Sequence, residues 1–186
     1  MVSDACELVM DPETAHRHLS LSDDNRKVTA VRQQESYPDH PQRFTHWRQL
    51  LCKDGLTGRC YWEVERKGDV HIAVTYKGIR KRGDSKLCFL GGNSLSWSLK
   101  CSDDGYSAIH NNKEIRVRPP FPLSNRLAVY LDCPAGTLSF YGFSSGALVH
   151  LHTFYATFTE PAYPAFGFRS GDMFGCFGAS VSLCEL

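Results

Sequence analysis

Neither sign of charge prevails in this sequence. Its 186 residues carry 21 Lys plus Arg against 20 Asp plus Glu, which argues against a broad electrostatic hold on nucleic acid or an anionic membrane. No apolar run approaches the roughly 18 residues of a spanning helix, so membrane insertion is not expected. The opening "MVSDACELVM" lacks the basic start and long apolar core of a secretory signal. No Asn-x-Ser/Thr sequon occurs, and Cys184 stands third from the end, outside a prenylation box. The setting expected from these absences is soluble, reducing and cytoplasmic.

Catalytic grammar is missing as well. There is no P-loop, no H-E-x-x-H and no G-x-G-x-x-G fingerprint. "GCFG" (175–178) has glycines without a basic residue or a following helix pattern, and reads as a close backbone approach within a strand. The eight cysteines are spread singly, with no C-x-x-C pair, so buried reduced thiols are expected rather than bridges or zinc. His150 and His152 share one strand face but read as half-exposed strand residues rather than metal ligands. No enzyme activity, cofactor or metal is expected.

What the chain does have is alternation. "CYWEVE" sets Trp62 and Val64 on one face against Tyr61, Glu63 and Glu65 on the other. "DVHIAVTY", "SLSWSLKC", "YSAIH", "LVHLHTF", "YPAFGF" and "ASVSLCEL" follow the same period, as do residues 127–131 and 137–143, which flank a Cys-Pro-Ala-Gly reversal. Turn residues separate these runs at 67–69, 91–93, 103–105, 111–112 and 144–146. About a dozen short strands predict an all-β, bent antiparallel sandwich of two sheets. Trp62, Trp97 and Phe140 are expected in its core. Near the start, Asp11, Pro12 and Glu13 form a helix-opening pattern, predicting a short N-terminal helix. "RFTHWRQLL" (43–51) predicts at most two helical turns or an irregular packed segment.

One segment is locally basic. Residues 66–86 hold Arg66, Lys67, Lys77, Arg80, Lys81, Arg82 and Lys86 against Asp69 and Asp84, with Tyr76 and Phe89 nearby. This is the best candidate for a nucleic-acid patch, although an acidic protein surface is the more natural partner.

Four motifs in order resemble the PRY/SPRY family: "MDPETAHRHLSLSDD" (10–24), "YWEVE" (61–65), the 131–141 hairpin, and "YPAFGF" with "VSLCEL". "YPDHPQRFTHWRQLLCKDGLTGRCYWEVE" is similar to fish versions, found in tripartite-motif ligases, NOD-like receptors and stonustoxin-like toxins. The resemblance implies one domain over 1–186, with a PRY segment at 1–55 and a SPRY segment at 56–186. It also implies a recognition function of the innate-immune type: loops at one end of the sandwich bind a partner protein or peptide, without catalysis or cofactor. The implied contacts are Tyr76, Lys77, Arg80 and Arg82 after "HIAVTY". Lys100, Ser102, Tyr106, His110 and Asn112 follow "SWSL", with Phe166 and Arg169 after "YPA". Lys100 and Ser102 stand where the family often has aromatics, which implies a polar or basic cleft. Any oligomerisation would run through segments outside this chain. The alternatives are the C-terminal domain of a stonustoxin-like pore-forming protein, or nucleic-acid binding through 66–86.

Overall fold

The computed structural model describes residues 2–169 and 176–186. Thirteen strands fill it: β1 (Leu19–Ser22), β2 (Lys27–Ala30), β3 (Gln49–Leu51), β4 (Arg59–Lys67), β5 (Val70–Tyr76), β6 (Ser96–Ser102) and β7 (Gly105–His110), then β8 (Lys113–Val117), β9 (Arg126–Asp132), β10 (Thr137–Ser144), β11 (Ala147–Tyr155), β12 (Ala162–Phe168) and β13 (Ser180–Leu183). One sheet runs β1-β2-β13-β4-β9-β10-β11 and the other β3-β12-β5-β6-β7-β8, and every strand pair is antiparallel. The first fifty-odd residues supply strands to both sheets, so the two halves of the sequence share one core.

That core is what the alternation writes. Trp62, Val129 and Phe140 from the larger sheet meet Ile72, Leu99 and Phe166 from the smaller, all nearly inaccessible. Trp97 is buried too. Each such side chain contributes about 2–3 kcal/mol on leaving water. The 131–141 hairpin closes where Gly136 adopts φ +70°. Its hypothetical Cβ would lie 2.6 Å from the Ala156 carbonyl oxygen, so only glycine fits this turn.

Three expectations need correction. The N-terminal helix does not form; helical structure among the described residues is confined to 3-10 turns at Val2–Asp4 and Lys86–Cys88. Asp11 does cap, accepting the Glu13 amide at 3.0 Å. The Thr14 hydroxyl, however, receives the Leu51 amide at 2.9 Å, and that tertiary bond pins the chain to β3 after one turn. "GCFG" is not a strand: Phe177–Gly178 is a turn, with Gly178 at φ +87° and open space beside it; Gly175 lies outside the described residues. Cys6 and Cys60 form a disulfide, whereas Cys52, Cys88 and Cys101 are buried thiols as expected. Burial pushes the Cys52 and Cys101 thiols well up, which suits a packing role.

Candidate functional site

The outer face of the six-stranded sheet is only partly open. Segment 77–95 and Phe44 cover its β3–β12 side, where Leu51, Ala73, Ile79, Leu90 and Ala165 make a second, small apolar core. Gln49 fastens this cover: its Nε2 donates to the Cys88 carbonyl at 2.8 Å and its Oε1 accepts the Leu90 amide at 2.9 Å. Asn93 ties the same segment from within, donating to the carbonyls of Lys86 and Phe89 at 3.0 and 2.9 Å. The rest of the face is left as a cleft of about 520 Å3.

Its floor is a single cross-strand row. The registers place Gln49, Gly167, His71, Lys100, Ser107 and Arg116 side by side across all six strands. Such neighbours lie about 5 Å apart. A Cβ on Gly167 would meet the Gln49 and His71 side chains at 3.3 and 3.5 Å, so the glycine gives both room. His71 is buried, with Nδ1 3.5 Å from the Ser98 hydroxyl. Burial first, and then Lys100 and Lys86, pull its pKa down to about 4. It is therefore a neutral imidazole near pH 7.

The wall toward the covered side is aromatic. Trp47 and Phe89 have ring centroids 4.7 Å apart, and the Lys86 ammonium lies 4.5 Å from the Phe89 centroid and 5.4 Å from that of Trp47. Trp47 Nε1 donates to the Ser85 carbonyl at 3.1 Å. Around the rim, Lys86, Lys100, Arg116 and Arg169 face Asp69, Asp104 and Glu114. Arg169 already pairs with Asp69 at 3.9 Å, which leaves the balance basic.

The implied contacts separate into four places. Lys100, Ser102, Tyr106 and Arg169 line this cleft. Lys77, Arg80 and Arg82 surround a different, smaller hollow of about 380 Å3 beside Pro41, while Asn112 sits exposed in the β7–β8 turn, its amide donating to the Gly91 carbonyl at 2.9 Å. Phe166 has no exposed surface, because its position in β12 points into the sandwich. Tyr76 likewise faces inward; its hydroxyl accepts the Thr159 amide, and its ring meets Trp97 edge-on. His110 stacks on Trp97 with centroids 4.9 Å apart and donates from Nδ1 to the Ser96 carbonyl. These three are packing residues in this structure. Trp47, His71 and Arg116 are cleft residues that the sequence reasoning passed over. The alternation of "DVHIAVTY" assigns His71 to the outward face and could have found it; Trp47 carries no such signal.

The basic segment also divides. Arg66 is buried, donating to the Gly68 carbonyl at 2.9 Å and pairing with Asp103 at 3.4 Å. Lys81 is buried as well, its ammonium donating to the carbonyls of Lys77 and Ile79, both at 2.8 Å, with burial lowering its pKa to about 8. Two of the seven cations thus face inward and serve structure.

The family models settle the kinship. The SPRY-associated domain model matches residues 8–56 and the SPRY domain model matches 59–178. The chain belongs to the PRY/SPRY family. Stonustoxin subunit beta of Synanceia horrida is 46% identical over 162 residues, 87% of this chain and 23% of the relative. Tripartite motif-containing protein 16 of Mus musculus is 42% identical over 166 residues, 87% and 29% of the two chains. In solved structures, stonustoxin superposes with a TM-score of 0.89 at 36% identity, covering 97% of this chain and 29% of the other. The TRIM65 PSpry domain superposes at 0.85 and 29% identity, over 99% and 92%. The chain spans about a quarter of the length of the first curated relatives. A PRY/SPRY fold is a protein-interaction module rather than a catalytic one. Among the described residues no helix is long and apolar enough to cross a membrane.

Proposed function

We propose that this PRY/SPRY chain recognises a segment of a partner protein in the cleft floored by His71, Lys100 and Arg116. The observation that carries the reading is the wall-and-floor chemistry: an aromatic pair, Trp47 and Phe89, beside a basic row on a stiff sheet. Aromatic anchors supply affinity, and flanking charges supply orientation and on-rate. A segment with an apolar side chain followed by carboxylates suits both. Lys77, Arg80 and Arg82 lie outside the cleft and steer the acidic partner toward it. In this reading the chain is the ligand-recognition part of an innate-immune, cytoplasmic tripartite-motif ligase or NOD-like receptor.

A second reading is the corresponding part of a stonustoxin-like protein, favoured by the 46% identity to stonustoxin subunit beta. The inward-facing Arg66 and Lys81 weigh against nucleic-acid binding through 66–86. Peptides selected against the chain from a displayed random library provide the probe. Trp47→Ala should weaken the selected peptide by at least about tenfold, the threshold region for an aromatic anchor, and Lys100→Glu should slow its association. Unchanged binding in both variants would remove the cleft from recognition.

A further inference from the structure

We propose that the β8 edge pairs with the β8 edge of a second copy of this chain. The argument is independent of the ligand reading above. Strand β8 ends the six-stranded sheet and, among the described residues, pairs with β7 alone. Four of its five residues are exposed, Ile115 at 59%. The β7–β8 turn is Asn111–Asn112, both at positive φ, and His110 faces Lys113 across it. In a two-residue hairpin that flanking pair is hydrogen-bonded. Lys113, Ile115 and Val117 therefore spend their backbone groups on β7, while Glu114 and Arg116 direct theirs to the open edge.

Those two residues specify the pairing. In an antiparallel register centred on Ile115, Glu114 of one copy faces Arg116 of the other, twice by symmetry. The backbone groups that meet are the outward ones, and Ile115 meets Ile115 at the close, non-bonded position. Sliding the register by two residues sets Arg116 against Arg116 or Glu114 against Glu114. Sliding it by one turns the wrong backbone groups to the interface. Charge complementarity selects one register, and among the described residues neither side chain has an ion-pair partner within the chain. The two-fold axis stands perpendicular to the sheet, so both outer faces stay on one side. Because Glu114 and Arg116 also rim the cleft, the row of His71, Lys100, Ser107 and Arg116 continues into Glu114 of the second copy, and two clefts adjoin.

Sedimentation velocity of the whole chain at rising concentration tests this. Wild type should associate weakly, into the millimolar range, and less so in high salt. Glu114→Arg places four arginines together and Arg116→Glu four glutamates; each variant alone should lose association by roughly tenfold or more. Mixed, they restore both opposite-charge pairs and should form a heterodimer of wild-type affinity. Both changes lie on exposed side chains, and an unaltered urea midpoint checks the fold. A wild type monomeric at every concentration overturns the proposal and leaves these charges as guards of the edge. Variants that self-associate like wild type, or a mixture that stays monomeric, overturn it equally.

Discussion

Replacing Gln49 by leucine isolates the fastening that shapes the cleft. The substitution keeps volume and removes one donor and one acceptor, orphaning the Cys88 carbonyl and the Leu90 amide, both in fully buried residues. Each buried, unsatisfied backbone group costs about 1–3 kcal/mol. Added apolar contact recovers about 1 kcal/mol. A net loss of about 2–4 kcal/mol is therefore expected, with the denaturant slope unchanged because the surface exposed on unfolding is the same. The loss should concentrate around Cys88 and Leu90 in segment 77–95, where Gln49 joins the sheet edge to that cover, while Asn93 still braces the segment internally. Amide exchange reads this directly: opening made easier by about 2 kcal/mol accelerates the Leu90 amide roughly 30-fold, while Val129 in the sandwich keeps its protection relative to global unfolding. A stability change under about 0.5 kcal/mol with unchanged Leu90 exchange would refute the fastening.

Other consequences follow from the same contacts. Phe166→Ala should cost about 3–5 kcal/mol in chemical denaturation, a loss an exposed contact residue would not produce. His16 and His71 both have pKa values lowered from 6.5 to about 4, chiefly by burial; their neutral forms are favoured in the folded state. Stability is thus full above about 6.5, falls as the unfolded chain takes up protons below it, and levels off near 4, with up to about 3 kcal/mol at stake for each. Urea titrations across that range, repeated on His71→Gln, should show a shallower fall in the variant. The Cys6–Cys60 disulfide closes a sequence separation of 54 residues, worth about 4 kcal/mol by chain entropy. Intact mass before and after thiol alkylation should register the bridge, and reductant should lower the urea midpoint.

How much of this was legible depends on where each signal is written. Nine strands, β4 to β7 and β9 to β13, announced themselves, because a strand that turns one face to the core repeats every two residues, as the 127–143 hairpin does. Strand β8 did not. "KEIRV" lies at the sheet edge with almost every residue exposed, so burial imposes no period on it. Strand β3 has only three residues, all buried, too short for any periodicity. The Asp11-Pro12-Glu13 pattern is a true cap whose continuation lost to the Leu51–Thr14 bond, a partner 37 residues away that local grammar cannot see. The cleft was legible in part: Lys100, Ser102, Tyr106 and Arg169 line it. His71, Lys100 and Arg116 share one row only because strand register aligns them, and Trp47 meets Phe89 through the packing of two segments outside the strands. Tyr76, His110 and Phe166 look like loop-adjacent contacts in sequence, yet each falls on the inward side of its strand.

The most direct test is amide chemical-shift mapping of the chain as a library-selected peptide is titrated in. The account predicts the largest changes at His71, Lys100, Ser107 and Arg116 and in the Trp47 indole. Changes confined to Lys77–Arg82, with that row unmoved, would contradict it.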